Sequence, residues 1–255
     1  IETEEVIVGS DTLSFEEYLE LRLLSFSIFV TNIGIVYDSL LKFLRQNNIE
    51  IFDLFFQMMK QIDSAPPLVQ KIFASVKNDM VDELWDSSED IQVHYQEQKE
   101  YEKLLSGEAA RNVMQYHNAL VRHSCMDEWT QFAGNVVFGL LKRKKIISYE
   151  LENQLKNIIN YCIGLGHNTL GDDRMSTNPE FLFDYDIENW LTVKNNKTLS
   201  RFKLDKKRTV SFQFSNNDSK VIQDELDRQN TDSGIGQALK NLPLQIQFRN
   251  PKAIS

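Results

Sequence analysis

The chain has 255 residues, 42% of them hydrophobic and 25% charged, with a formal net charge of −9 and a pI near 5.1. That composition fills a real core and excludes a disordered chain. The acidic balance excludes a general nucleic-acid binder, which needs clustered positive charge to neutralise phosphates.

The length suits one large domain or two small ones. The two cysteines, Cys125 and Cys162, make no disulfide framework and point to a reducing, cytoplasmic setting. In chain order, residues 1–13 read as a strand and a linker. EEVIVG over 4–9 is the strand, and it has no partner nearby in sequence, which points to a sheet upstream. The chain opens on Ile1 with no basic targeting segment, as an excised part of a longer protein would.

Ser14 and Glu17 have capping-box spacing, and Leu13 and Tyr18 have that of a hydrophobic staple. From Leu23 to Tyr37 no residue is charged, and a helix there is apolar on nearly all sides. The run covers 15 residues and is closed in by Arg22, Asp38 and Lys42, whereas a membrane span takes roughly 20. The stretch 14–46 is therefore expected to be one long buried helix at the centre of the fold, with Gly34 as the point where it kinks or breaks.

Asn48 is placed to cap a helix through 49–61. Ser64, Pro66 and Pro67 signal the next start, followed by Val69, Phe73, Val76, Met80 and Leu84 near the helical period. Residues 86–103 are polar and read as a loop and a solvated helix. Ser106-Gly107 opens a helix that puts Val113, His117, Leu120 and Val121 on one stripe. Trp129, Phe132, Val136, Val137, Leu140 and Leu141 mark a cleaner helix, ending in the basic run Lys142–Lys145 that complements its dipole. Ser148 caps another, stopped by Gly164 and Gly166.

Residues 14–167 thus make a helical domain, and 168–195, with Gly171, Asp172 and Asp173, a connecting segment. Residues 196–255 form a small α+β tail: a strand at 209–214 with 199–204 as hairpin partner, a helix at 218–228 and a third strand at 244–248. The fold class is mainly α, a helical bundle around a long apolar helix with a small α+β C-terminal part.

No catalytic constellation stands out. His94, His117, His123 and His167 lack metal-ligand spacing. His117 lies on an apolar stripe, so a core histidine is the simpler reading than a ligand or base. His123 and Cys125, two apart, would face opposite sides of a helix. Gly234-Ile-Gly236 lacks the strand, third glycine and lysine of a phosphate loop and reads as a connector. Asp184 and Asp186 are placed either to share a ligand or, for Asp186, to cap the helix after it. Asn112, Tyr116 and His117 are the candidates for lining a pocket, Asn112 and Tyr116 at i, i+4.

The opening TEEVIVGSDTLSFEEYLELRLLSF, through Thr3, Glu4, Glu5, Thr12, Ser14, Glu16 and Glu17, resembles the segment that follows the barrel in cobalamin-binding radical SAM proteins. Gly107, Asn112 and Tyr116 match a Gly-x-x-x-x-Asn-x-x-x-Tyr pattern, and Phe183, Tyr185, Asp186 and Trp190 approximate a Phe-x-Tyr-Asp-x-x-x-Trp pattern. The resemblance covers most of 1–195 and fades beyond.

It implies a parent with a cobalamin-binding domain and a barrel whose CxxxCxxC motif holds a [4Fe-4S] cluster that cleaves S-adenosylmethionine. This chain has no such motif, so no catalytic, cofactor-binding or metal residue carries over to it. The role implied is a C-terminal part facing an unknown substrate, partnered by the upstream barrel of the same polypeptide, with no membrane span. The alternative is a free-standing helical module that binds another protein.

Overall fold

The computed structural model describes residues 3–32, 35–106, 109, 111–171, 176–193, 197–229 and 234–254. The capping box forms: Ser14 Oγ accepts from the Glu17 amide at 3.3 Å, and Glu17 takes the Ser14 amide at 2.8 Å. It starts α1, Phe15–Asn32. The expected single helix over 14–46 does not form. After α1 the chain turns through Ile35–Tyr37 and restarts as α2, Asp38–Gln46. Gly34, the expected break point, lies outside the described residues. The physical reason for two helices is coverage. Apolar residues on every side of one straight rod need neighbours all round it, whereas two rods bury Leu23, Phe26 and Val30 on one and Leu40, Phe43 and Leu44 on the other.

Residues 4–9 form no strand among the described residues. The segment has no regular secondary structure and is followed by an isolated bridge, Ser10 to Leu13. Asn48 does not cap the next helix. It sits at φ 52° and closes the previous one: its amide reaches Arg45 O at 3.1 Å, and that of Ile49 reaches Leu44 O at 3.0 Å, a Schellman motif. Lys145, at φ 57°, does the same for the helix before it.

Helix α3, Ile51–Lys60, and α4, Pro67–Asp82, follow, the latter with proline at its first position. Val69, Phe73, Val76 and Met80 all point inward, as their spacing predicts. The polar region carries α5, Ser88–His94, and α6, Gln98–Leu105, neither with a buried residue. Helix α7 spans Val113–Ser124, several residues later than expected, because Asn112 caps it by accepting from the Gln115 amide at 2.9 Å.

The centre of the molecule is α8, Met126–Arg143, with ten of its residues buried, and α9, Tyr149–Gly166, capped by Ser148. Helix α8 touches α3, α4, α7 and α9. The indole of Trp129 stacks on Phe73 at 5.2 Å and meets Phe26 edge-on at 5.7 Å.

The segment expected to connect carries structure of its own: strand β1, Glu180–Tyr185, and α10, Ile187–Thr192. Strand β2, Lys203–Gln213, is twice the length expected. Residues 199–202 are a short 3₁₀ turn, so β2 pairs with β1 instead, antiparallel, Glu180 opposite Ser211. Helix α11, Asn216–Arg228, matches expectation. Helix α12, Gly234–Asn241, takes up the glycines expected to form a connector. Gly236 allows that helix to lie against the Tyr116 backbone of α7, since a Cβ there would stand 3.0 Å from Tyr116 Cα. The third strand is not 244–248 but β3, Asn250–Ala253, on the other edge of β2.

The sheet order is β1-β2-β3. Its inner face rests on α9: Phe183 and Phe212 pack about Tyr161, with ring centroids at 6.2 and 5.6 Å. One continuous core holds α1 to α4, α7 to α9 and the sheet. A second, smaller cluster lies under α11 and α12.

Candidate functional site

A cleft of about 720 Å³ opens among the described residues. It lies between the outer side of α1, the end of α4, helices α5 and α6, and the start of α7. Its position follows from local sequence. Helix α4 ends at Asp82 and the chain leaves its end with Leu84 and Trp85, while α5 and α6 are too polar to pack down and close the gap. Thr3, Glu4 and Val6 of the N-terminal segment also line it.

One wall is aromatic. Trp85 and His94 lie with ring centroids 4.9 Å apart, and Tyr95 meets His94 edge-on at 4.9 Å. Trp85 remains 39% exposed. The charged part of the lining is largely self-paired. Arg22 bridges Glu83 at 2.5 Å and reaches Tyr18 Oη at 2.8 Å. Arg111 bridges Asp79 at 2.9 Å and lies 3.7 Å over the Tyr116 ring. Asp82 and Glu4 line the cleft with no ion pair among the described residues.

None of Asn112, Tyr116 and His117 lines this cleft; their neighbours Arg111 and Val113 do. Asn112 is the cap of α7, and Tyr116 is held between Arg111 and α12. His117 is fully buried behind the cleft. Its Nδ1 is 2.9 Å from Val113 O, its Nε2 is 3.1 Å from Ser75 Oγ, and Asp79 stands 3.6 Å off. Because Nδ1 must donate to a carbonyl, Nε2 is the accepting nitrogen and Ser75 donates to it. Burial holds the imidazole below its ordinary pKa despite the nearby Asp79.

Asp184 and Asp186 do not share a site. Asp184 pairs with Lys207 at 3.3 Å, and Asp186 caps α10 through the Asn189 amide at 3.1 Å. His123 is exposed and Cys125 buried, so they do not act together. Both thiols are buried and pushed up to about 12, chiefly by desolvation. Among the described residues, no group of three or more His, Cys, Asp or Glu is placed to hold a metal ion, and no helix is long and apolar enough to cross a membrane.

Sequence reading missed the cleft because its walls come from five helices, and none of them announces a site alone. The one available signal was Trp85, a large aromatic standing just past a helix end in a polar stretch. Comparison with protein-family models, with curated proteins and with solved structures found no match.

Proposed function

We propose that the chain is the non-catalytic, substrate-facing C-terminal part of a cobalamin-binding-type radical SAM enzyme. On this reading it packs against a preceding barrel that carries the [4Fe-4S] cluster, S-adenosylmethionine and cobalamin. The resemblance of residues 3–17 to the segment that follows such a barrel supports it. Cys125 and Cys162 are buried and fall short of the three or four thiolates a cluster takes, so those groups belong to the barrel on this reading.

The observation that carries the reading is the state of residues 3–9. They form no regular secondary structure, Thr3, Glu4 and Val6 line the cleft, Val6 is 54% and Ile7 81% exposed, and the backbone pairs with no strand among the described residues. A β-prone segment of this kind gains hydrogen bonds and apolar cover by joining an outside sheet. Such docking would bring the cleft to the barrel's open side.

Deleting residues 14–195 from the complete protein tests this. The cluster stays bound and turnover of substrate is lost. Full turnover by the deleted form contradicts the proposal.

A second reading, a helical module that binds another protein, draws on Phe52 and Phe56. They stack at 6.0 Å on the outer side of α3, 56% and 37% exposed. That pair is smaller than the apolar patches that mark interfaces.

A further inference from the structure

Read as the substrate-facing site of the proposed function, the cleft has a chemistry that narrows what it can hold. Four carboxylates line it, Glu4, Asp79, Asp82 and Glu83, against two guanidinium groups, Arg22 and Arg111. Both guanidinium groups are already committed, each to a carboxylate and to a tyrosine: Arg22 donates to Tyr18, and Arg111 lies over the Tyr116 face. An anionic ligand would have to break one of those pairs. The two carboxylates left over, Asp82 and Glu4, have no cationic partner among the described residues.

The Trp85 indole, 39% exposed and three residues beyond Asp82, lines the same cleft, as do apolar Leu84, Ile91 and Leu104. An exposed indole face attracts a cation through its ring quadrupole and takes an alkyl chain by its apolar surface. The excess carboxylates raise the local concentration of positive ligands. A volume of about 720 Å³ is in the range of small-molecule sites.

We infer that this cleft binds an organic cation, an ammonium group on an apolar stem, with the stem on Trp85 and the charge toward Asp82. His94 does not fill that role, because its Nε2 turns to Glu100 at 3.5 Å.

The chain carries its own probe. It has three tryptophans, and Trp129 and Trp190 are both 0% exposed, so a change in fluorescence on ligand contact comes from Trp85. Titrating the full chain at low salt with n-hexylammonium gives saturable quenching, half-complete at a concentration at least about tenfold below that for hexanoate. Trp85→Phe removes the signal and, followed by calorimetry, binds about threefold more weakly, the size of an exposed cation–π contact. Asp82→Asn, at an exposed carboxylate with no ion pair among the described residues, weakens hexylammonium by about twofold to fivefold and does not weaken hexanoate.

Equal affinity for the two probes, quenching that never saturates, or an Asp82→Asn variant that binds like the parent overturns the inference. The outcome separates from that of the enzyme reading. Selective cation binding by a chain whose complete protein holds no iron removes the enzyme and keeps the ligand class; a cluster-bearing protein whose cleft ignores the charge does the reverse.

Discussion

At the scale of single residues, the chemistry of this chain is spent on structure. Asn112 and Asp186 cap helices, and Arg249, almost fully buried, donates Nε to His167 O at 2.8 Å and lies over the Phe214 ring, holding β3 to the end of α9. His117 shows how such a group sets pH dependence. Burial holds its folded-state pKa below the ordinary 6.5, so the unfolded chain binds the proton first. Its contribution to stability is whole above about pH 6.5 and is lost as the pH falls below that value, levelling off once the folded imidazole also titrates. Urea unfolding at pH 7.5 and at pH 5 therefore shows a larger loss of stability for the parent than for His117→Gln, which keeps an amide and has no charge to gain. An identical pH dependence in both proteins contradicts this account.

At the scale of elements, packing decides where propensity alone would mislead. Gly164 sits inside α9, where alanine ordinarily gains about 1 kcal/mol over glycine. Here a Cβ would stand 2.5 Å from the ring of Phe212, which is 0% exposed and has nowhere to move. Overpacking of this kind costs about 1–3 kcal/mol, so the clash wins and Gly164→Ala destabilises the fold. A thermal or urea melt checks it, and a variant as stable as the parent would show that α9 and the sheet are packed more loosely than described.

The same interface shows what a sequence discloses. The spacing of Trp129, Phe132, Val136 and Leu140 identified α8, and Ser14 with Glu17 identified the start of α1, because both signals are local. The partner of β2 was not legible. Val210, Phe212 and Phe214 announce a strand, but pairing with β1, about 25 residues upstream, is set by the fit of Phe183 and Phe212 around Tyr161 on α9. Residues 199–204 looked like the closer partner by adjacency alone. The break after α1 was legible as a possibility at Gly34, but the direction of α2 depends on which neighbours cover Leu40 and Phe43. The cleft was illegible for a related reason: its carboxylates and its indole come from segments that read singly as surface.

At the scale of the molecule, α1 to α4, α7 to α9 and the sheet share one core, a smaller cluster lies under α11 and α12, and the cleft opens beside the polar helices α5 and α6. Val6, which is exposed, lines the same cleft. On the proposed reading, a radical SAM barrel covers the exposed, unpaired segment beside the cleft. The most direct measurement is the metal content of the complete protein, expressed and purified without oxygen. The account predicts about four irons and matching sulfide per chain, with cobalt and a three-cysteine motif preceding the present sequence. Iron-free protein with no such motif would contradict it and leave a helical binding module.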